Sequence, residues 1–533
     1  MKFASNIDNL RPILLILIPV VLFSVNEMTA QVIPVSIIRN EDQSFTLLRN
    51  GEPYYVKGAG TTNKTLLDDL VLRGGNSIRT WGVDAMSLSL LNEAHDKGIS
   101  VMLGLWMKKE QDGFDYDDSL KVKEQLEKFR SFVIQFRNHP ALLAWSIGNE
   151  VDAGYTNLNV WNAVNDISEM IHEEDGNHPT MTVIICANKD KVNAIVERAP
   201  DLDMLGINAY ACISNVHNSI LASNWDKPYM ITEWGVSGPW EVSKTNWGAP
   251  LEATSTQKKE LFIQRYQNYI EPNQNLIPGS YAFYWDSKFE ATYTWFGLFV
   301  KDESTEMVDG MEYLWTGNWP ENRAPEISSV QINEKSQNQN LTITAMSGNS
   351  VQVVTVDPEE DTLSFEYLVI PESGDYLVET ITGATYRAIP GIASEQGKPH
   401  TTLNFKDIHN HLNMRLYVLI RDGESHIATA TFPFQTNFST LNQVAYTGRT
   451  DKPVFYPNPF TNTLNIRTND ESYMLQYQIL NLKGQILFEK QITSGASSSI
   501  DLSSLEEGFY ILKYSLNNGK PDYLRIFKTS FLR

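Results

Sequence analysis

The spacing of apolar residues changes along the chain, and each change marks a different kind of structure. Between about residue 54 and residue 318, short apolar runs alternate with segments in which apolar residues recur three and four positions apart. The runs predict strands, and the segments between them predict amphipathic helices. The predicted strands cover residues 54–59, 76–81, 99–105, 142–148, 180–186, 203–208, 228–233 and 279–285.

Helical segments follow the first four predicted strands, and they run from Leu66 to Leu72, Ser87 to His95, Leu120 to Phe136 and Leu158 to Ile171. Repeated strand–helix pairs of this number predict a (β/α)8 (TIM) barrel. A doubly wound open sheet is the alternative, but it is less favoured because no glycine-rich phosphate loop follows the first strand. A hairpin with its turn at Asn50-Gly51 precedes the barrel.

Short alternating strands replace the strand–helix pattern beyond Trp319. They predict an Ig-like or cadherin-like β-sandwich at residues 322–437 and a smaller β-sandwich at residues 452–533. Because the first sandwich is expected to have its own core, a chain ending near Pro320 should keep an intact barrel. An acidic turn in this sandwich is read as a solvated turn in preference to a calcium site, and it contains Asp357, Glu359 and Asp361.

The first thirty residues have the pattern of a secretory signal peptide. Lys2 and Arg11 precede an apolar segment, and small residues lead to Ala30, after which we expect cleavage. A membrane anchor is less favoured because the apolar run is short and contains Pro19. The signal peptide is therefore assigned to residues 1–30 and the barrel unit to residues 31–319.

Composition narrows the classes of partner. A net charge of −21 over 533 residues argues against nucleic acid and anionic membranes, both of which need a basic surface. The two cysteines, Cys186 and Cys212, lie near the ends of neighbouring predicted strands, where one disulfide or two buried thiols are equally compatible with the sequence. No metal site or cofactor is predicted, and the oligomeric state is left open.

Two of the predicted strands end in a glutamate. The fourth strand runs into Gly148-Asn149-Glu150, and the seventh ends with Glu233. The C-terminal ends of the strands form the active face of a (β/α)8 barrel. Retaining cleavage of a glycosidic bond needs two carboxyl groups about 5–5.5 Å apart, one as acid/base and one as nucleophile. We therefore predict Glu150 as the acid/base and Glu233 as the nucleophile.

Polar and aromatic residues at the other strand ends predict the rest of the site. Arg79 and Tyr210 are expected to hold Glu233 ionised, and Asn149 to bind the sugar 2-hydroxyl. The rings expected to face pyranose C–H groups are Trp81, Trp106 and Trp285. Singly, a rim tryptophan or a buried arginine is more often structural, so the prediction depends on their joint occurrence.

The barrel, roughly residues 50 to 318, resembles clan A glycoside hydrolases, and its motifs are most similar to those of glycoside hydrolase family two. Trp145–Glu150 resembles the acid/base strand of that family and Ile231–Gly235 its nucleophile strand. The arginine, tyrosine and tryptophan that the resemblance implies on strands two, six and eight are Arg79, Tyr210 and Trp285. Unlike that family, this chain has no room for a jelly roll and a sandwich before the barrel, so no substrate is carried over.

The last eighty residues resemble the C-terminal sorting domain of proteins exported by type IX secretion. The motifs that carry this resemblance are Tyr456 to Pro459, Leu482 to Gly484 and Gly508 to Tyr510. The resemblance implies the type IX secretion machinery as a partner. It also implies a protein that is secreted or attached to the cell surface, on the extracellular side of the outer membrane.

The sequence therefore predicts a secreted retaining glycosidase that acts on a poly- or oligosaccharide, with β-glycosidic bonds expected. One alternative is a transglycosylase that uses the same residues. Another is a non-catalytic glycan-binding surface adhesin, which would need no carboxylates on strands four and seven. The sugar, the linkage and the choice between exo and endo action stay open.

Overall fold

The computed structural model describes residues 32–372, 388–405, 412–438, 454–456, 460–467, 473–481, 484–494, 497–517 and 520–528. The predicted signal peptide lies outside these residues, as do residues 457–459 and 482–483 of the sorting motifs. The chain divides into two compact units, Met1–Ser439 and Thr440–Arg533. In the part of the chain that is described, no helix has both the length and the apolar character needed to span a membrane.

Eight parallel strands close into a barrel, which confirms the predicted (β/α)8 fold. After the N-terminal strands β1 to β3, the barrel strands in chain order are β4 (Val56–Gly60), β5 (Ser77–Arg79), β6 (Ser100–Leu105), β7 (Leu142–Ile147), β8 (Thr180–Ile185), β9 (Met204–Asn208), β10 (Tyr229–Trp234) and β11 (Gly279–Ala282). Nearly every residue of these strands is buried because one face meets the barrel interior and the other meets the helices. The interior contains a methionine from each of four strands, Met102, Met181, Met204 and Met230.

The helices surround the barrel, and their bounds are α1 (Leu67–Leu72), α2 (Ser87–Asp96), α3 (Ser119–Phe136), α4 (Asn159–Glu174), α5 (Lys189–Arg198), α6 (Ile213–Leu221), α7 (Ser255–Arg265) and α8 (Glu306–Thr316). Most of them turn an apolar stripe inward; α4, for example, buries Val160, Val164, Ile167 and Ile171. Helix α7 begins with a capping box in which Thr254 and Gln257 bond each other's backbone N–H groups. A π-helical turn, Tyr266–Ile270, extends α7.

A three-stranded sheet covers the end of the barrel at which the strands begin. It contains β1 (Val35–Arg39), β2 (Phe45–Arg49) and β3 (Glu52–Pro53), with the predicted turn at Asn50 and Gly51, where both φ angles are positive. Val35 and Leu47 pack against the barrel interior. The barrel is therefore closed at this end and open only at the C-terminal ends of its strands.

A β-sandwich follows the barrel and a small hairpin, β12 (Phe299–Val300) and β13 (Glu303–Ser304). One sheet has the order β14-β16-β18, formed by Glu326–Ile332, Asn349–Val356 and His400–Leu403. The other has the order β15-β20-β19-β17, formed by Thr342–Ile343, Ile427–Thr436, Leu412–Arg421 and Ser364–Pro371. The predicted acidic turn precedes β17, and the Asp357 carboxylate accepts backbone N–H groups of Glu359 and Asp361.

The central strands of the second sheet, β19 and β20, are buried on both of their faces. On β19, Leu416, Val418 and Ile420 face the sandwich core, whereas the alternate residues Tyr417 and Leu419 face the barrel. The barrel-facing side also bonds to helix α7: the backbone N–H of Thr429 donates to Ser255 Oγ at 2.8 Å. Barrel and sandwich accordingly form a single compact unit. This packing corrects the expectation that a chain ending near Pro320 would keep an intact barrel, because such a chain would expose an apolar, hydrogen-bonded surface.

The second unit is a small sandwich of two antiparallel sheets. The sheet β21-β22-β25 contains Val454–Tyr456, Thr463–Arg467 and Ser497–Asp501, and the sheet β24-β23-β26-β27 contains Ile486–Ser494, Tyr473–Leu480, Gly508–Leu516 and Asp522–Lys528. Its core includes Phe460, Leu464, Ile479 and Leu512, which come from both sheets and from the segment between β21 and β22. Its two sheets agree with the small sandwich expected from the sequence.

Candidate active site

The two predicted catalytic glutamates lie at the open end of the barrel. Glu233 belongs to β10, and Glu150 lies in the turn that follows β7. Gly148 and Glu150 have positive φ angles of 73° and 53°, and the Glu150 N–H donates to Val183 O at 2.9 Å. A non-glycine residue in this region is strained, and such strain is concentrated at functional sites. The turn bends the chain so that the Glu150 side chain enters the same cavity as Glu233.

Glu233 is held by three side-chain donors. Its Oε1 accepts from Arg79 Nη1 at 2.8 Å and from Trp81 Nε1 at 2.7 Å. Its Oε2 accepts from the Tyr210 hydroxyl at 2.9 Å. Burial, together with the charge of Glu233, raises the pKa of Tyr210 well above its usual value, so the tyrosine remains a donor. A cation and two neutral donors therefore fix the position and orientation of the Glu233 carboxylate.

Glu150 has the opposite environment. It accepts one side-chain hydrogen bond, from Asn208 Nδ2 at 2.8 Å, and Lys109 Nζ lies 3.9 Å from Oε2. Burial, and secondarily the charge of Glu233, raises the pKa of Glu150 to about 7, while Asn208 and Lys109 oppose this rise. A carboxyl group with this pKa is partly protonated at neutral pH and can both donate and accept a proton.

Arg79 and Asn149 connect the two glutamates beneath the cavity. Arg79 donates from Nη1 to Glu233 and from Nη2 to Asn149 Oδ1 at 2.7 Å, and Asn208 also donates to Asn149 Oδ1, at 3.2 Å. Arg79 was predicted among the sugar-binding residues, but its side chain is fully buried. Arg79 therefore orients Glu233 and Asn149. The two bonds to Asn149 Oδ1 leave Asn149 Nδ2 to donate to a ligand.

Aromatic residues form much of the cavity wall. Trp81 and Trp106, which the sequence places at strand ends, both line the cavity, and Trp106 is 49% exposed. Sequence reasoning missed Trp240, which is 50% exposed and lies in the loop after β10, and it also missed Phe283 and Tyr284. A tryptophan after Gly238-Pro239 at the end of the seventh predicted strand was the available signal for Trp240.

Trp285 does not reach the cavity, which corrects its predicted role as a sugar platform. It is 0% exposed, its Nε1 donates to Leu66 O, and its ring packs against Phe299 and Trp315. The eighth strand ends at Ala282, three residues earlier than predicted. The residues that face the cavity are consequently Phe283 and Tyr284, and Trp285 turns outward toward the helices.

A disulfide joins the loops that follow β8 and β9. Cys186 and Cys212 are bonded, with their Cα atoms 6.1 Å apart, and Cys186 lines the cavity. This decides between the bridge and the two free thiols that the sequence left open. The bond fixes the rim of the cavity beside Tyr210.

The cavity has a volume of about 680 Å³, which is large enough for more than one sugar ring. Its charged residues are mainly acidic, since Glu241 and Glu290 join Glu150 and Glu233 on the walls. Lys288 Nζ lies 3.4 Å from Glu290 Oε2. Within the described ranges, no three His, Cys, Asp or Glu side chains are grouped as a metal site would require.

Comparison with known families confirms both resemblances. A family model described as "Glycosyl hydrolases family 2, TIM barrel domain" matches residues 81–268, which include both glutamates. A second model, "Secretion system C-terminal sorting domain", matches residues 454–522. Residues 81–268 are therefore similar to the barrel domain of that family, and residues 454–522 are similar to the secretion sorting domain. No curated protein matches the chain significantly.

Similar solved structures include a glycosyl hydrolase family 2 member from Bacteroides cellulosilyticus, with 13% identity, a TM-score of 0.36 and coverage of 92% of this chain and 64% of that chain. They also include a β-glucuronidase from Parabacteroides merdae, with 11% identity, a TM-score of 0.39 and coverage of 92% and 63%. The chain therefore spans less than two thirds of the length of these proteins. The activities in their names are properties of those proteins.

Proposed function

We propose that this protein is a retaining glycosidase that hydrolyses β-linked O-glycosidic bonds of an oligo- or polysaccharide. The proposal is carried by the contrast between two carboxyl groups in one cavity. Glu233 is bound by a cation and two further donors, whereas burial and the charge of Glu233 raise the pKa of Glu150 to about 7. Two carboxyl groups that differ in this way can serve as nucleophile and as acid/base.

In the first step, a Glu233 oxygen attacks the anomeric carbon. The bond from that carbon to the leaving oxygen breaks, and the Glu150 proton moves to this oxygen. Glu233 Oε2 is suited to the attack because it accepts from Tyr210 alone, while Oε1 accepts from Arg79 and Trp81. The product of this step is a glycosyl ester of Glu233, with Glu150 ionised.

In the second step, Glu150 takes a proton from water as the water oxygen attacks the same carbon. The ester bond breaks, and both glutamates return to their first states. Asn149 Nδ2 is available to donate to the sugar 2-hydroxyl, where a hydrogen bond strengthens in the transition state. If a sugar hydroxyl replaced water, the same residues would transfer the glycosyl group, and product analysis distinguishes the two outcomes.

The charge of the cavity supports an uncharged sugar. Its walls carry four glutamates, and the lysine among the lining residues, Lys288, lies beside Glu290. A uronic acid would bring another negative charge among these carboxylates, which is unfavourable at low dielectric. We therefore expect faster turnover of neutral aryl β-glycosides than of an aryl β-glucuronide, measured with the same leaving group. The reverse order would exclude an uncharged sugar as the preferred substrate.

Azide tests the roles of the two glutamates. With Glu150→Ala and an activated aryl glycoside, azide should restore turnover and give a β-glycosyl azide, because the glycosyl ester still forms on Glu233. With Glu233→Ala, no such retained product should form, since azide can only attack the opposite face. Turnover of unactivated glycosides by Glu150→Ala at the wild-type rate would refute the assignment.

We also propose that the sorting domain directs type IX export and takes no part in catalysis. The family match at residues 454–522 and the predicted signal peptide support two successive membrane crossings. Deleting residues 452–533 should leave an active enzyme that is retained in the cell envelope. Normal amounts of the truncated protein in the medium or on the cell surface would contradict this proposal.

A further inference from the structure

One wall of the cavity is formed by residues 284–304, here called the wall segment. Tyr284, Ser287, Lys288, Phe289 and Glu290 from this segment line the cavity. The segment follows the last barrel strand, and its only regular structure is the short hairpin of β12 and β13. A segment with so little backbone pairing of its own depends on its neighbours for its conformation.

The middle of the wall segment is hydrogen-bonded to Glu252, which precedes helix α7. Thr292 Oγ1 and Thr294 Oγ1 each donate to the Glu252 carboxylate at 2.8 Å. The same carboxylate accepts from Thr431 Oγ1 of the sandwich at 3.2 Å and from Lys258 Nζ at 2.6 Å. Glu252 thereby links the cavity wall to strand β20.

The sandwich also packs directly on the wall segment. The rings of Tyr293 and Tyr417 are stacked with their centroids 4.5 Å apart. Farther along, Val300 packs against Leu419 and Ile427 of the sandwich. The segment ends in an ion pair in which Arg421 Nε lies 2.7 Å from Glu303 Oε1.

We propose that the sandwich sets the conformation of the sugar-binding wall, with Tyr417 and Glu252 as positioning residues. This inference rests on the proposed function, because it concerns the same cavity. The two glutamates, Glu150 in the turn after β7 and Glu233 on β10, do not belong to the wall segment. Loss of the support should therefore weaken the binding of extended substrates more than it slows the chemistry at the scissile bond.

The experiment compares three variants of the full-length protein. Tyr417→Leu removes the stacked ring that faces the barrel, and Tyr417→Phe keeps it. The matched control is Tyr367→Leu, since Tyr367 is a buried tyrosine of the neighbouring strand β17 that faces the sandwich core. The readouts are KM and kcat for an oligosaccharide, kcat for a small activated aryl glycoside, and amide hydrogen exchange of residues 286–300.

Tyr417→Leu should raise the oligosaccharide KM about tenfold and change the aryl glycoside kcat by less than about twofold. It should also speed exchange in residues 286–300, whereas Tyr417→Phe should behave as the wild type. Tyr367→Leu should speed exchange in the sandwich alone. If Tyr417→Leu left exchange in residues 286–300 unchanged, or altered KM no more than Tyr367→Leu, the inference would be refuted.

A milder variant covers the case in which Tyr417→Leu does not fold. Arg421→Gln breaks the partly exposed ion pair with Glu303 and should speed exchange at residues 299–305; unchanged exchange there would count against the inference. The exchange measurement also separates the two proposals. A wild-type protein without glycosidase activity would refute the proposed function, whereas the exchange pattern still tests the support of the wall segment.

Discussion

Two of the buried glutamates of the barrel, Glu233 and Glu252, are each surrounded by a cation and neutral hydrogen-bond donors. Glu233 accepts hydrogen bonds from an arginine, a tryptophan and a tyrosine. Glu252 accepts from a lysine and from three threonine hydroxyls. Both residues are nearly inaccessible, with 5% and 1% of their surface exposed. Burial beside a cation therefore does not distinguish a reacting carboxylate from a structural one.

The clusters differ in what lies on the remaining side of the carboxylate. Glu233 borders a cavity that also contains Glu150, whose pKa is raised. Glu252 is enclosed between barrel and sandwich; burial opposes its ionisation, but Lys258 and Arg415 outweigh burial and lower its pKa. A carboxylate that borders an open cavity and a proton donor can react with a ligand. A carboxylate enclosed by cations and hydroxyl groups can only stabilise the packing between barrel and sandwich.

The largest effect on turnover is expected in the cluster around Glu233, here called the open cluster because it borders the cavity. Glu233→Gln keeps the size of the side chain but removes the nucleophile, so kcat should fall by about 10⁴-fold or more. Arg79 also loses its buried ionic partner in this variant, so turnover is compared per amount of folded protein. The control is Glu197→Gln, at an exposed position of helix α5, which should keep full activity. Activity within tenfold of the wild type would mean that Glu233 is not the nucleophile.

The cluster around Glu252, which is enclosed between barrel and sandwich, should show the opposite pattern, with a loss of stability and a small loss of turnover. Glu252→Gln leaves the charge of Lys258 buried without its ion-pair partner, and breaking a buried ion pair in this way costs about 3–5 kcal/mol of stability. Denaturant unfolding measures this loss, and kcat of the folded fraction should fall far less than in Glu233→Gln. A Glu252→Gln protein as stable as the wild type would show that this cluster does not hold barrel and sandwich together.

The pH dependence of the rate tests whether Glu150, which faces Glu233 in the cavity, is the acid. Because the protonated form of Glu150 donates to the leaving oxygen and its pKa is about 7, kcat/KM for unactivated glycosides should fall about tenfold per pH unit above pH 7. In Glu150→Ala, an activated aryl glycoside should show no such decline. A wild-type rate that stays level up to pH 9 would rule out Glu150 as the acid.

The smallest effect concerns Glu306, a buried carboxyl group at the sealed interface. Its pKa is raised from 4.5 to about 8 by burial, although Lys259 and the hydroxyls of Thr256 and Ser255 oppose the rise. The stability it contributes is complete below about pH 4.5 and is lost as pH rises through 8. Glu306→Gln stays neutral, so at pH 9 it should melt about 2 °C higher than the wild type, and at pH 4 equally.

The barrel could be read from the sequence because its strands are buried on both faces and appear as continuous apolar runs. Their observed ends lie within a few residues of the predicted ones, and Glu150 and Glu233 were found because each ends such a run. The same property made strand β20 difficult to recognise. In Ile427–Thr436 the core-facing Ala428, Ala430, Phe432 and Phe434 alternate with threonine and other residues, as in a strand with one face in solvent, but that second face meets α7 and is buried.

The cavity walls were less predictable because they are built from loops. Trp285 was chosen over Tyr284 on the basis of a strand end that lies three residues earlier in the structure, and a shift of one residue reverses the side on which a side chain points. Trp240 and the wall segment carry no periodic signal. Arg415 and Tyr417 could have indicated a covered sheet, since both lie in a strand whose opposite face is also apolar.

The bond between Cys186 and Cys212 sets an order for the biogenesis of this protein. Cytosolic thiols are kept reduced, and disulfides persist in oxidising compartments outside the cytosol. A chain that folded in the cytosol would therefore have an unlinked rim on the side of the cavity formed by the loops after β8 and β9. For the proposed export route, the finished shape of the cavity is expected only after the chain has left the cytosol, away from the sugars of the cytoplasm.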